Sequence, residues 1–125
     1  MAEVPVDFGE DLTTRVAKPI GGIRPRPRRA HVLELIKGAG APRHLELKAE
    51  RIVLGRAENV DIVVDSEEVS RQHARFSRID DEYQLEDLES RNGVYLNGLK
   101  VHLAVLREGD EVQFGDLVFL YREGN

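Results

Sequence analysis

Residues 51–98 have the sequence RIVLGRAENVDIVVDSEEVSRQHARFSRIDDEYQLEDLESRNGVYLNG, in which apolar and polar residues alternate along most of the stretch. Four short segments, polar or rich in glycine, interrupt the alternation: Gly55-Arg56, Ser70-Arg71-Gln72-His73, Ser90-Arg91-Asn92-Gly93 and Asn97-Gly98. A period of two is typical of half-buried strands, and such interruptions are typical of loops. The stretch therefore predicts short strands whose connecting loops carry the chemically distinctive side chains.

The same pattern continues on both sides of this stretch. Strands are predicted over residues 31–36, 44–48, 51–54, 61–64, 73–79, 83–88, 94–96, 100–102, 111–114 and 117–121. Many short strands with a turn signal roughly every 8–12 residues are typical of a sandwich or barrel. We predict an all-β fold, a twisted two-sheet β-sandwich of ten to eleven strands. Val112/Phe114 and Val118/Leu120, on a hairpin around Gly115-Asp116, are expected to close its core.

The composition fits one domain of this kind. The chain has 125 residues, 41% of them hydrophobic, with one Met and no Trp, so its core must consist mainly of Val, Leu and Ile. It has no cysteine, which excludes disulfides and a cysteine nucleophile. Four separated histidines lack a paired ligand motif, so neither a metal site nor a cofactor is predicted. Without a leader pattern or an apolar run of about 18 residues, a soluble cytoplasmic protein that contacts no membrane is expected.

Charge divides the chain into two parts. Residues 1–30 hold six Lys/Arg and four Asp/Glu (net +2), and residues 31–125 hold twelve and nineteen (net −7), which sum to the net −5 of the chain. An acidic domain repels nucleic acid at long range, so nucleic acid is not an expected partner. Any anion that the domain binds must be held by locally placed cations.

Four of the five prolines lie in residues 1–30, which show no strand pattern. We predict a disordered N-terminal segment over residues 1–30, followed by a sandwich domain over residues 31–123. The basic run from Ile23 to Arg29 fits either a solvated linker, which we favour, or a segment that docks on nucleic acid or an acidic protein.

The predicted loops combine cations with hydrogen-bonding groups. Arg56 directly follows an apolar run, so its guanidinium lies at a strand end, where it can bind phosphate through two N–H groups. The alternative is an ion pair with Glu58 or Asp61. Ser70 can donate to an anion, or it can serve only as a turn residue. The amide of Asn92 offers both a donor and an acceptor to an extended peptide backbone.

Ser70 and His73 also raise the question of hydrolysis. The chain lacks a Gly-x-Ser-x-Gly motif, and residues three apart on an extended strand point in different directions. We therefore predict no catalytic residue. His73 is assigned a structural role instead, as a neutral imidazole bonded to neighbouring backbone.

Five motifs occur in a fixed order among the predicted strands: Gly55-Arg56, Ser70-x-x-His73, Asn92-Gly93, Gly109-Asp110 and Phe114-Gly115. In this order they resemble the forkhead-associated (FHA) domain over about residues 31–123. The resemblance implies a sandwich of two twisted sheets whose loops bind phosphothreonine in extended peptides, without catalysis. It assigns the phosphate to Arg56 and Ser70, with help from Arg71. It assigns the peptide main chain to Asn92, and the shape of the loops to Gly55, His73 and Gly93.

Two positions depart from the commonest FHA pattern. Arg91 stands where many members have Thr before Asn-Gly, and Val94 stands where Thr often follows. We include Arg91 among the predicted peptide-binding residues. There it can strengthen anion binding or shift the side-chain preference beyond the phosphothreonine.

The N-terminal segment contains adjacent threonines, Thr13 and Thr14, with Asp11 nearby. This arrangement resembles small bacterial FHA regulators, in which a phosphorylatable twin-threonine segment precedes a single FHA domain. An extended chain from Thr14 to Ala30 reaches about 50–55 Å, more than the roughly 30 Å diameter of such a domain. A phosphorylated segment can therefore occupy the domain's own pocket. Ordinary polar residues without this role are the alternative.

Together these features predict a non-enzymatic phosphothreonine-peptide-binding module in Ser/Thr kinase signalling. Its expected partners are a phosphothreonine-containing protein, a Ser/Thr protein kinase and its own phosphorylated N-terminal segment. The alternative from another class is a phosphate-independent scaffold or assembly subunit that uses the sheet faces. Partner capture that depends on Arg56 distinguishes the first function from the second.

Overall fold

The structure, a computed structural model, describes residues 29–124. Within this range the strands are, in chain order, β1 (Ala30–Lys37), β2 (Arg43–Glu46), β3 (Arg51–Gly55), β4 (Ile62–Val63), β5 (Ala74–Ile79), β6 (Glu82–Asp87), β7 (Val94–Leu96), β8 (Leu99–Val101), β9 (Leu103–Val105), β10 (Glu111–Phe114) and β11 (Leu117–Gly124). The described range contains no helix that is long and apolar enough to cross a membrane. The all-β prediction is confirmed.

The strands form two sheets. One has six strands in the order β2-β1-β11-β10-β7-β8, and the other has five in the order β4-β3-β5-β6-β9. β3 and β4 are parallel, whereas the other pairs, such as β1 with β11 and β5 with β6, are antiparallel. Inward-facing residues of both sheets form one hydrophobic cluster, so the predicted two-sheet sandwich is also confirmed.

Phe114 on β10 lies at the centre of this core and is fully buried. Its ring packs edge-on against Phe76 of β5 and Phe119 of β11, with centroid distances of 6.3 and 5.7 Å. It also contacts the ring of His73 at 5.5 Å, again edge-on. The core therefore continues directly beneath the loop that precedes β5, and it supports that loop from below.

The last hairpin exists as predicted, but the predicted inward face of β11 is wrong. Val118 and Leu120 are half-buried on the outer side, whereas Leu117, Phe119 and Tyr121 are fully buried. Phe114 lies directly opposite Leu117 across the Gly115-Asp116 turn. Residues opposite each other on paired strands point to the same face, so a buried Phe114 requires a buried Leu117.

The strand β9 was not predicted. The chain leaves β8 in the six-stranded sheet, bends at His102 and continues as β9 at the edge of the five-stranded sheet. There it pairs with β6, with Leu85 opposite Ala104. Leu103-Ala104-Val105 shows no alternation, and no turn residue precedes it. The local sequence therefore does not predict that this segment forms a separate strand in the other sheet.

A polar cluster holds the start of β1 against the turn between β5 and β6. The carboxylate of Asp81 accepts hydrogen bonds from the backbone N–H of Arg29 (3.0 Å) and from Nη2 of Arg78 (2.8 Å), and its Oδ1 lies 3.1 Å from Nε2 of the buried His31. The bond from the Arg29 backbone, followed by those from Arg78 and His31, holds the pKa of the Asp81 carboxyl well below its usual range. The cluster fixes where the chain enters the domain.

We expect Phe114→Ala to destabilise the domain by about 3–5 kcal/mol, because it removes a fully buried ring and leaves a cavity among three aromatic neighbours. Denaturant unfolding followed by circular dichroism measures this change. As a control, Leu99→Ala on β8 should cost less than about 1 kcal/mol, since Leu99 is 73% exposed and little of it is removed from water. Equal losses at the two positions would contradict the assignment of Phe114 to the centre of the core.

Candidate functional site

Three loops lie side by side at one end of the sandwich: β3–β4, β4–β5 and β6–β7. Backbone hydrogen bonds join the first two, from Arg56 N to Ser70 O (3.0 Å) and from Ala57 N to Arg71 O (3.1 Å). A third bond joins the last two, from Leu88 N to His73 O (3.0 Å). Loop positions that are far apart in sequence therefore form one hydrogen-bonded surface.

The imidazole of His73 connects these loops from the inside. It is fully buried; Nδ1 accepts from the Ser70 backbone N–H (2.9 Å), and Nε2 lies 2.8 Å from the carbonyl oxygen of Gly93. Because an N–H donates to Nδ1 and a carbonyl can only accept from Nε2, the ring is the neutral Nε2–H tautomer. Burial lowers the pKa of His73 and so favours this neutral form.

Gly55 and Gly93 occupy positions where a side chain does not fit. A Cβ on Gly55 would lie 2.1 Å from the carbonyl oxygen of Arg71, which is backbone and cannot swing aside. Gly93 has φ of +84°, a conformation that residues with side chains rarely adopt, and its N–H donates to the Ser90 hydroxyl at 2.9 Å. Gly55 therefore permits the close approach of the β4–β5 loop, and Gly93 permits the tight turn of its own loop.

Within residues 29–124, the guanidinium of Arg56 makes one hydrogen bond, from Nε to the carbonyl oxygen of Val69 (3.1 Å). Among residues 29–124 it forms no ion pair, so the alternative pairing with Glu58 or Asp61 does not occur. Asp61 instead accepts from the backbone N–H of Val53 at 2.8 Å. The two terminal amino groups of Arg56 remain available for a ligand.

Ser70 and Arg91 are in direct contact. The backbone N–H of Arg91 donates to the Ser70 hydroxyl oxygen at 2.9 Å, so this oxygen accepts from protein while its proton can be donated to a ligand. The side chain of Arg91 folds over the neighbouring loop, where Nη2 donates to the carbonyl oxygen of Glu67 at 3.1 Å.

Asn92 and Arg71 complete the surface. Nδ2 of Asn92 donates to the carbonyl oxygen of Glu68 at 2.7 Å, which holds the carboxamide at the loop surface. The side chain of Arg71 is exposed and has no hydrogen-bond partner within residues 29–124. The five predicted peptide-binding residues thus lie on adjoining loops at one end of the molecule. Thr13 and Thr14 lie outside the described residues.

Sequence reasoning missed the contacts that support residues 66–69. Ser66 donates from its hydroxyl to the carboxylate of Asp116, and its Oγ accepts the backbone N–H of Glu68 at 3.2 Å. Gly115 packs so closely on this segment that a Cβ there would lie 2.7 Å from the Cβ of Glu68. These contacts fix the carbonyl groups that hold Arg56, Arg91 and Asn92. Local sequence patterns do not reveal these contacts, because Ser66 and Asp116 are fifty residues apart; the nearest signal is the Phe114-Gly115 motif, which directly precedes Asp116.

Ser70 and His73 are not arranged as a nucleophile and its base. Both ring nitrogens of His73 are bonded to backbone groups, and the oxygen of Ser70 instead accepts from Arg91. A general base must reach the hydroxyl proton that it removes. His73 therefore has a geometry suited to holding loops together and not to activating Ser70.

We expect the stability of the domain to fall as the pH drops below about 6.5, the ordinary pKa of an unfolded histidine. Because the pKa of His73 is lowered in the folded state, the unfolded chain binds more protons in this range, so stability is complete above pH 6.5 and declines below it. Urea unfolding between pH 7.5 and 5 should show this slope, and His73→Gln should reduce it. The exposed His102→Gln is the control and should leave the slope unchanged.

This chain is similar to known proteins in sequence as well as in fold. The family model of the FHA domain matches residues 52–115. An "Oxoglutarate dehydrogenase inhibitor" of Corynebacterium jeikeium is 34% identical over 83% of this chain and 72% of its own length. The "Glycogen accumulation regulator GarA" of Mycolicibacterium smegmatis is 38% identical over 81% of this chain, which spans 65% of that protein.

A solved structure, "Mycobacterium tuberculosis EmbR in complex with low affinity phosphopeptide", superposes with a TM-score of 0.71 at 30% identity. The match covers 76% of this chain and 24% of that one. The sandwich, the order of the loop motifs and the matched family model agree with one another. The chain belongs to the FHA domain family.

Proposed function

We propose that this protein is a non-enzymatic binding module that recognises phosphothreonine in extended peptides through Arg56, Ser70, Arg71, Arg91 and Asn92. The observation that carries the proposal is the set of arginines on adjoining loops, none of which has a carboxylate partner within residues 29–124. In an acidic domain, unpaired cations at one end of a rigid scaffold provide a local site for an anion.

The donors of this surface suit a phosphate group. A phosphothreonine carries about −1.5 to −2 charges and three acceptor oxygens at neutral pH. The terminal amino groups of Arg56 can bind two oxygens side by side, and the hydroxyl of Ser70 can donate to the third, with Arg71 adding a second cation. Because the groups are exposed, affinity should be moderate and should weaken with salt.

The carboxamide of Asn92 can bind the main chain of an extended peptide, which the phosphate-binding groups do not recognise. One N–H of its carboxamide is used by Glu68, and its carbonyl oxygen and second N–H remain for the peptide backbone. A free phosphate ion lacks this backbone. We therefore propose that the ligand is a peptide segment, with Arg56 and Ser70 on its phosphate and Asn92 on its backbone.

The names of two relatives suggest the kind of process that such binding controls. One is named as an inhibitor of oxoglutarate dehydrogenase and the other as a regulator of glycogen accumulation. We propose that this protein likewise acts as a regulator by binding a metabolic enzyme, and that a Ser/Thr kinase controls it. An oxoglutarate dehydrogenase is the first partner to test.

We further propose that phosphorylation of Thr13 or Thr14 lets the N-terminal segment occupy the domain's own site. Arg29, where that segment joins the domain, is bonded to Asp81 at the end of β5 that is remote from His73. The eight residue steps from His73 to Asp81 span about 26 Å of extended chain, and the fifteen from Thr14 to Arg29 span about 50 Å. The segment is therefore long enough to reach the site from the opposite end.

We expect Arg56→Ala to weaken binding of a phosphothreonine peptide by about 10–150-fold, since charged hydrogen bonds contribute about 1.5–3 kcal/mol. Ser70→Ala should weaken it by about fivefold, because it removes one neutral donor worth about 1 kcal/mol. Isothermal titration calorimetry with a phosphothreonine peptide and its unphosphorylated form measures both effects. The unphosphorylated peptide should bind neither variant nor the unmodified protein.

Arg51→Ala is the matched control for Arg56→Ala. Arg51 is also exposed and lies on the same strand, β3, but at the end remote from the loops, so its loss should leave affinity within about twofold. A partner that binds equally well without Arg56 would instead support the phosphate-independent scaffold.

We expect the kinase-phosphorylated full chain to bind an added phosphothreonine peptide poorly, because its own segment competes at a high effective concentration. Deleting residues 16–23 leaves seven residue steps between Thr14 and Arg29, about 25 Å of extended chain. This deletion should restore peptide binding, because the shortened segment is too short to run from Arg29 along the domain and enter the site. Fluorescence anisotropy with a labelled peptide measures the change.

A Gly/Ser stretch of the same length in place of residues 16–23 is the control and should keep the self-competition. Undiminished peptide binding by the phosphorylated full chain would contradict the self-capture proposal. That result would not contradict the proposal that the domain binds phosphothreonine peptides of other proteins.

A further inference from the structure

Most arginines outside the loop site are paired with carboxylates. Ion pairs of 2.7 to 3.4 Å join an acidic side chain to each of Arg29, Arg75, Arg78, Arg107 and Arg122. Arg43 and Arg51 are the exceptions in the described range. Against this background, Arg56, Arg71 and Arg91 stand out because they lie on adjoining loops and none of them has a carboxylate partner in the described range.

One phosphate does not use all three cations. Arg56 and Arg71 together carry a charge of +2, which already balances the −1.5 to −2 of a phosphothreonine. The exposed acids of the same loops are Glu58, Asp61, Asp65, Glu67, Glu68 and Glu89, and in the described range none of them is within ion-pair distance of Arg91. The charge of Arg91 therefore remains for another part of the ligand.

Arg91 lies next to the residue that is proposed to hold the peptide. Its Nη2 donates to the carbonyl oxygen of Glu67, and Nδ2 of the following residue, Asn92, donates to the carbonyl oxygen of Glu68. The two side chains thus lie along consecutive residues of one neighbouring loop. Arg91 uses one of its donors there, and its remaining side-chain N–H groups have no partner within residues 29–124, so they can face a peptide held by Asn92.

Building on the proposed function, we propose that Arg91 recognises a second negative charge within two residues of the phosphothreonine. The chemical class of ligand is a phosphothreonine peptide with a flanking anionic group, either a carboxylate or a second phosphate. The guanidinium suits both, because its planar donors match the oxygens of either group.

A purely structural role for Arg91 makes a different demand. Holding the carbonyl oxygen of Glu67 requires an N–H donor at the reach of the guanidinium but no positive charge. Arg91→Lys keeps the charge and an N–H donor on a side chain of similar length, whereas Arg91→Gln removes the charge and is too short to reach this carbonyl oxygen. The backbone N–H that bonds Ser70 is present in both variants. Loss of loop support weakens the binding of peptides with and without a flanking acid alike, so the ratio of the two affinities reports recognition of charge.

The experiment compares phosphothreonine peptides that carry Asp or Asn at each of the positions −2, −1, +1 and +2, and a further pair with phosphoserine or serine beside the phosphothreonine. Affinities are measured by isothermal titration calorimetry at low salt. For at least one position we expect the unmodified protein to prefer Asp by about 1.5- to 5-fold, the range of exposed ion pairs, and to prefer the second phosphate more strongly. The preference should shrink at high salt, because the groups are exposed.

Arg91→Gln should abolish the preference, and Arg91→Lys should keep most of it. Arg122→Gln is the control, since it removes the same charge from β11, where Arg122 is paired with Glu108 far from the loops. The proposal is overturned if the unmodified protein shows no preference, or if the preference survives in Arg91→Gln. If no phosphothreonine peptide binds at all, the proposed function fails with it, whereas phosphothreonine binding without acid preference overturns only the role of Arg91.

Discussion

The candidate site depends on a single buried group, the neutral imidazole of His73. One nitrogen accepts from the Ser70 backbone and the other donates to the Gly93 carbonyl, so one ring fixes two loops relative to each other. The ring rests edge-on against Phe114, which is packed between aromatic residues of both sheets. Any displacement of these loops would leave buried polar atoms unpaired, and this cost keeps the surface in one arrangement.

Preorganisation of this kind explains how an acidic domain can bind an anion. The loops approach each other so closely that Gly55 has room for no side chain, and the backbone carbonyls of Val69, Glu67 and Glu68 hold the side chains of Arg56, Arg91 and Asn92 respectively. The cations are thereby oriented without being neutralised. Little side-chain ordering is then required when a ligand binds, which favours affinity at an exposed site.

The two ends of β5 serve different purposes. At one end, His73 organises the loops, and at the other, Asp81 binds the backbone of Arg29 together with Arg78 and the buried His31. The second cluster ties the first described residue to the turn between β5 and β6. The N-terminal segment therefore starts from the far end of the sandwich, and any part of it that reaches the site must travel the length of the domain.

The fold class, most of the strands and the loops that carry the site could be predicted from local patterns in the sequence. Alternation along each strand and polar or glycine-rich interruptions are local signals, and Gly55-Arg56, Ser70-Arg71 and Asn92-Gly93 stand at such interruptions. The remaining features required the folded structure. The separate strand β9, the inward face of β11, the bond between Ser66 and Asp116 and the partners of Arg56 and Arg91 all depend on contacts between residues distant in the chain. A periodic pattern specifies that a residue is buried or exposed along its own strand, but it does not specify which distant backbone atom meets it, because that is set by how the two sheets pack.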